Sequence, residues 1–386
     1  EKGFETIVGV IGSPEVGSTT SSIQSYLHDL YNAGTPEDPA PSFVVFVGDV
    51  AQCPTWMISG DATDRPYCAV DGDLFPEMYY GRLSATNSSQ LQAIIDKTLL
   101  YDTYSMPDPS YLDRHTLIAG MDSGFGGSHG NGTIRYGEDY YWNATHDLDV
   151  NTYYYPESGG QASAIIADCS AGLSYINYTA HGSQTSWGNP YMGQSDINGM
   201  TNDGMYFLAV GNCCLTSTYD YGECFGETFL RAPNKGAIGY IGGSNSTYWD
   251  EDVWWAVGSI PSSQIRDGMT YEETGLGVYD ALFHDMPGVT EDDWYVTNGA
   301  VVVCGNLAVS EAGSGLETYY WNIYNLLGDP AVAMYMGEPE PNPANFPATV
   351  FVGEPMMTIE AGWGTYVGLT QGGEIVGTGY VGETGM

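Results

Sequence analysis

The sequence predicts an α/β fold built on a parallel sheet covered on both faces. Two observations predict it. Short apolar runs alternate with amphipathic helical periods, and the runs are continuous rather than alternating, as expected of strands buried on both sides. A third observation fits the same class: nearly every run ends on glycine followed by a polar or reactive side chain, and open α/β sheets bind ligands at the carboxyl ends of their strands.

The elements follow in chain order. Ile23, Tyr26, Leu27 and Leu30 repeat at helical spacing. Phe43–Val47 reads as a buried strand ending at Gly48-Asp49. Leu91, Ile94, Ile95 and Thr98 or Leu99 mark a second helix. Thr116–Ala119 is a strand ending at Gly120-Met121-Asp122, and Leu173–Tyr178 a strand leading to His181-Gly182. Met205–Val210 runs into Gly211-Asn212-Cys213-Cys214, and Ala237–Ile241 into Gly242-Gly243. Leu327-Gly328-Asp329-Pro330 reads as a tight turn closing the main domain. Gly337–Pro347 holds four prolines in eleven residues and reads as a junction. Beyond it Thr349–Val352, Met357–Ala361, Tyr366–Leu369 and Ile375–Tyr380 read as short strands. Together they suggest part of a β-sandwich, because about fifty residues fall short of the roughly one hundred a complete one takes.

Composition narrows the function. The 386 residues carry a formal charge of −39, although only 15% are charged, so the imbalance comes from missing bases. Such a chain repels phosphate backbones and anionic lipid, which argues against nucleic-acid binding and polybasic anchoring. No apolar run approaches the ~18 residues that span a bilayer. The start at Glu1, without Met or an apolar leader, reads as a mature or trimmed product. Of the seven cysteines, Cys53 and Cys68 flank a polar loop and are candidates for one disulfide.

Asp122, His181 and the Cys213-Cys214 pair end three different strands, and parallel strands can bring all three to one edge. A thiolate beside an imidazolium is a strong nucleophile near neutral pH. A carboxylate behind the imidazole fixes its tautomer and supports its charge. Glycine beside them frees backbone N–H groups for an oxyanion. The other five histidines have no comparable setting: His28 lies in a helix, and His115, His129, His146 and His284 are expected at the surface.

Asn177-Tyr178-Thr179-Ala180-His181-Gly182-Ser183 followed by Phe207-Leu208-Ala209-Val210-Gly211-Asn212-Cys213-Cys214 resembles the gingipain family of caspase-like cysteine peptidases, its lysine-specific branch above all. Val70–Met78, Leu117–Asp122, Cys224–Glu227, Lys235–Ala237, Tyr240–Gly242 and Tyr248–Asp252 extend the resemblance over nearly the whole chain. A one-residue deletion near Gly222 leaves Tyr248 and Trp249 aligned. The resemblance implies two α/β subdomains, 1–108 and a catalytic 109–338, with an immunoglobulin-like tail over 339–386. It makes Cys214 the nucleophile, His181 the general base and Asp122 its orienting acid. The N–H groups of Gly182 and Cys214 become the oxyanion hole, and Cys213 a structural neighbour.

It also implies a pocket for a substrate lysine, with Asp252 receiving the ammonium and Thr179, Asn212, Tyr248 and Trp249 lining it. A flat aromatic wall suits a four-carbon stem, and a buried carboxylate suits a compact cation. Asp71, Asp73 and Glu77 carry hard oxygen donors at a spacing compatible with Ca²⁺. The resemblance adds Asp49 and the Phe75 carbonyl to make a structural calcium site, with Glu227 a candidate for a second ion. The expectation is a secreted, extracellular or cell-surface endopeptidase that cleaves protein or peptide substrates after lysine. A peptidase of other primary specificity, or a ligase using the same acyl-enzyme, is the enzymatic rival. A calcium-stabilised surface or filament subunit with a vestigial site is the non-enzymatic one, and the intact Cys, His and Asp argue against it.

Overall fold

Eight strands make one sheet in the computed structural model, which describes residues 4–36, 38–283, 295–349, 351, 356–372 and 374–382. The sheet strands are β1 (Phe43–Val47), β4 (Tyr79–Leu83), β5 (Arg114–Ala119), β6 (Asp149–Tyr153), β7 (Tyr175–Thr179), β11 (Phe207–Asn212), β12 (Ala237–Gly243) and β13 (Tyr324–Gly328). Their order is β1-β4-β13-β12-β11-β7-β5-β6. Every pairing is parallel except β12 with β13, which is antiparallel. Smaller ribbons are β2 (Trp56–Ile58) with β3 (Asp61–Thr63), and β8 (Gly182–Ser183), β9 (Ser186–Trp187) and β10 (Met192–Gly193).

The helices are α1 (Thr20–Asn32), α2 (Ser88–Asp102), α3 (Asn131–Tyr140), α4 (Ala162–Ala171), α5 (Gln194–Gly199), α6 (Phe225–Arg231), α7 (Trp249–Val257), α8 (Val278–Phe283), α9 (Asn298–Glu311) and α10 (Glu317–Ile323). Local chemistry starts the first two. The Thr19 hydroxyl accepts from the Ser22 amide at 3.1 Å, and Asn87 accepts from the amides of Ser89 and Gln90.

Side chains alternate across the strands, so each strand feeds two cores. Leu117, Leu208, Val210 and Ile241 point into one core with residues of α3, α7, α8, α9 and α10. Ile118, Ile176, Ala209 and Tyr240 point into the other with residues of α2, α4 and α6. Strands β7, β11 and β12 are buried throughout. A third cluster gathers Val16, Ile23, Val44, Phe46, Tyr67 and Met78 near β1.

Three readings are corrected. Leu327-Gly328 is not a turn: it ends β13, an inner strand of the sheet. Cys53 and Cys68 are both free and buried, so no disulfide joins them. His115 is fully buried in β5, where the Trp142 indole N–H donates to its Nδ1 at 2.9 Å. Burial holds its imidazole near 3, far below the usual range. His284 lies outside the described residues.

Contacts divide the chain into two units, Ile11–Glu338 and Glu1–Val10 with Pro339–Met386. The division drawn near residue 108 falls inside the first unit, where strands from both sides of it share the sheet. In the second unit, β14 (Tyr366–Gln371) and β15 (Glu374–Tyr380) form an antiparallel hairpin. Met357–Ala361 contributes a bridge between Glu360 and Asn345, and part of 349–352 lies outside the described residues. Among the described residues no helix is long and apolar enough to cross a membrane.

Candidate active site

Register builds the site. Thr179 at the end of β7 pairs with Ala119 of β5 and with Asn212 of β11, and Gly211 pairs with Gly242 of β12. Asp122, His181 and Cys214 therefore leave neighbouring strands at the same carboxyl edge.

The His181 Nε2 lies 2.8 Å from Asp122 Oδ2. The other Asp122 oxygen accepts from the amides of Gly124 at 2.7 Å and Phe125 at 2.9 Å. Partial burial opposes the Asp122 charge, but those two amides and the imidazole outweigh it and hold the carboxyl below its ordinary range. His181 is more than half exposed and its ring meets Trp249 edge-on, with centroids 6.0 Å apart. With Nε2 turned to Asp122, Nδ1 is the nitrogen left to exchange a proton with a reacting group.

Cys214 is half-buried at the β11 exit, and its sulfur accepts from the Thr247 amide at 3.3 Å. Cys213 is fully buried, and burial pushes its thiol well up. Of the pair, only Cys214 is placed to react as a thiolate. Gly182 packs so tightly here that a Cβ would lie 2.5 Å from the Cys214 carbonyl oxygen and 2.8 Å from the Cys213 sulfur. Only glycine fits between the histidine and the cysteine.

Next to Cys214 stands a buried carboxylate. Asp252, in the first turn of α7, is 3% exposed and forms no ion pair among the described residues. Its Oδ2 accepts from the Thr247 hydroxyl at 2.8 Å. Its Oδ1 accepts from the hydroxyls of Tyr320 at 3.0 Å and Tyr324 at 2.9 Å. Burial pushes Asp252 up to about 7, although the three hydroxyls pull the other way. Thr179 and Asn212 are fully buried at the strand ends, with Asn177 Nδ2 donating to the Thr179 hydroxyl at 3.0 Å. Tyr248 is exposed, and Trp249 stacks on Phe125 with centroids 5.6 Å apart.

The carboxylates expected to hold calcium have partners of their own or face solvent. Asp49 is buried and accepts from Arg231 Nη2 at 2.8 Å, a cation already in place. The Asp73 carboxylate accepts from the Phe75 amide at 2.8 Å, and Glu77 accepts from the Val70 amide. Asp71 is exposed. Among the described residues, no three His, Cys, Asp or Glu side chains are grouped to hold a metal. Glu227 is likewise taken by Arg231 at 2.6 Å and by the Cys224 amide at 2.8 Å, and burial raises it to about 7.

Several residues of the site carried no sequence signal. Tyr320 and Tyr324 reach Asp252 only through tertiary structure, and Thr247 from the loop just ahead of α7. His129, expected at the surface, is buried beside the site. Its Nε2 lies 2.9 Å from Asp250 Oδ1, and its ring meets the edge of Phe125 at 4.9 Å. Repeated aromatics around Y-W-D-E-D hinted at a packed wall but not at its partners.

The profile of peptidase family C25 matches residues 11–335. Lys-gingipain W83 of Porphyromonas gingivalis is 40% identical over 401 residues, covering 100% of this chain and 22% of that protein. The chain thus spans about a fifth of the length of such curated relatives. Gingipain R2 of the same organism is 26% identical over 244 residues, covering 61% of this chain and 32% of that protein. Among solved structures, one described as a protease superposes with a TM-score of 0.87 at 39% identity, covering 96% of this chain and 82% of its own. The crystal structure of the Arg-specific cysteine proteinase gingipain R superposes at 0.79 with 21% identity, over 95% of this chain and 81% of its own, a likeness of fold. With a family match over most of its length and a relative this similar along all of it, the chain belongs to peptidase family C25.

Proposed function

We propose that this chain is a cysteine endopeptidase that cleaves proteins or peptides after lysine, acting outside the cell or at its surface. The observation that carries the reading is the link from nucleophile to receptor. Thr247 donates its amide to the Cys214 sulfur and its hydroxyl to Asp252, a buried carboxylate with no cation paired to it among the described residues. A side chain reaching Asp252 would set the next carbonyl beside that sulfur.

The chemistry follows from these residues. The Cys214 thiolate attacks the scissile carbonyl, and the N–H groups of Gly182 and Cys214 receive the oxyanion. The C–N bond breaks as protonated His181 gives its proton to the departing amine, leaving a thioester on Cys214. Water then loses a proton to His181 and attacks the thioester. The C–S bond breaks, the product leaves as a carboxylic acid that ionises to solvent, and the thiolate–imidazolium pair is restored. Asp122 holds the imidazole in orientation throughout and stabilises its charged form.

Calcium is assigned no part in this chemistry. A stabilising ion at Asp49, Asp71, Asp73, Phe75 and Glu77 would share Asp49 with Arg231, whose guanidinium already holds its Oδ2, and thermal melting in chelator tests it. The proposed activity itself is tested by comparing Cys214→Ala with Cys213→Ala on a lysyl substrate. Loss in the first and retention of most activity in the second are expected. Equal activity of Cys214→Ala and wild type refutes the assignment.

A further inference from the structure

A carboxylate offers about four acceptor positions, two on each oxygen, and an arginine fork takes one on each oxygen at once. Asp252 has few to offer. Both positions on Oδ1 are filled by the hydroxyls of Tyr320 and Tyr324, and one on Oδ2 by Thr247. The two tyrosines stand four residues apart across the junction of α10 and β13, with rings stacked at 5.4 Å, so their hydroxyls arrive side by side.

The hydroxyl protons are committed to Asp252. A phenol has one proton. The Tyr320 oxygen accepts from the Tyr248 amide at 2.7 Å, leaving its proton a choice between the Tyr248 carbonyl and the Asp252 carboxylate, both at 3.0 Å. Charge favours the carboxylate. Tyr324 likewise lies 2.9 Å from Asp252 and 3.1 Å from Asn212 Oδ1, and cannot donate to both. Asn212 is fully buried and its Nδ2 has no partner among the described residues. Turning that amide end for end frees the Tyr324 proton for Asp252. Its nitrogen then donates to the Tyr324 oxygen, and Tyr324 donates to Asp252.

We propose that Tyr320 and Tyr324 set the choice of lysine over arginine by saturating Oδ1 of Asp252. The one open acceptor, on Oδ2, suits a point-like ammonium, whereas a guanidinium finds one oxygen where its fork needs two. Both are positioning residues: they act through Asp252 and need not touch the substrate. The inference rests on the reading of Asp252 as the lysine receptor.

Tyr320→Phe, Tyr324→Phe and the double variant keep the stacked rings and remove the hydroxyls. kcat/KM is measured on matched lysyl, arginyl and norleucyl peptides. The expected result is a lysyl-to-arginyl ratio at least tenfold lower in the double variant, with arginyl turnover rising in absolute terms, which structural damage does not produce. Each single variant carries the same prediction at smaller amplitude, so the test stands if the double variant fails to fold. An unchanged ratio overturns the proposal and assigns the exclusion of arginine to pocket depth, while the receptor reading survives. A wild type that does not prefer lysyl over norleucyl removes both.

Discussion

Thr247 donates its amide to the Cys214 sulfur across 3.3 Å, although the two residues lie 33 positions apart in the sequence. The same residue's hydroxyl holds Asp252. Cys214 and Asp252, the proposed nucleophile and the proposed lysine receptor, are thus both held by one residue on the segment between β12 and α7. Changes at Thr247 are expected to disturb both at once.

Asp252 is expected to govern preference for lysine. Removing one partner of a desolvated charge pair costs about 2–5 kcal/mol. Asp252→Asn should therefore lower kcat/KM for lysyl substrates by roughly 30- to several-thousand-fold at 1.4 kcal/mol per decade, and change norleucyl turnover far less. Equal losses on both substrates would remove Asp252 from the receptor role.

The same carboxyl sets a pH dependence. At about 7 in the free protein, Asp252 is increasingly protonated as pH falls, and a neutral acid does not pair with ammonium. The kcat/KM for lysyl peptides should fall below about pH 7 on a limb that norleucyl peptides lack and Asp252→Asn abolishes. For stability the sign is opposite. An acid whose folded-state pKa is raised binds its proton more tightly when folded, so its contribution favours folding at low pH. That contribution is lost as pH rises from the ordinary carboxylate range through about 7. Asp252→Asn should flatten that part of a stability-against-pH curve.

Asp122→Asn keeps the shape but removes the charge that supports the His181 imidazolium. A loss of about 10²- to 10⁴-fold in kcat is expected, the usual scale of positioned acid–base catalysis, with KM little changed. Wild-type kcat in this variant would show that Asp122 only packs beside the histidine.

Arg231 joins Asp49, Glu223 and Glu227. Arg231→Met leaves two buried carboxylates without their cation and should cost about 3–5 kcal/mol in unfolding free energy. If calcium occupies the proposed ligands, chelation lowers the melting temperature in proportion to the logarithm of free Ca²⁺, as linkage requires. A chelator-insensitive transition in metal-free protein removes the ion from the account.

The sheet centre was legible because β11 and β12 are largely apolar runs and β7 is mostly apolar and aromatic, all three buried on both faces. The catalytic edge was legible because glycine marks their ends. Strand β4 was not, since its sequence, Y-Y-G-R-L, hides a buried Arg82 whose charge is met by Asp64 at 2.7 Å. Strand β13 was not, since Leu327-Gly328 carries the composition of a turn while its neighbours supply the ladder. The hydroxyls around Asp252 come from Thr247, Tyr320 and Tyr324, and only the folded chain brings residues separated by up to 72 positions to one carboxylate.

The most direct measurement is covalent labelling with a lysyl chloromethylketone, read by mass spectrometry of the digested protein. The account predicts a single adduct on Cys214, absent in Cys214→Ala and formed far more slowly by the norleucyl analogue. An adduct on Cys213, or equal labelling by the lysyl and norleucyl reagents, would contradict it.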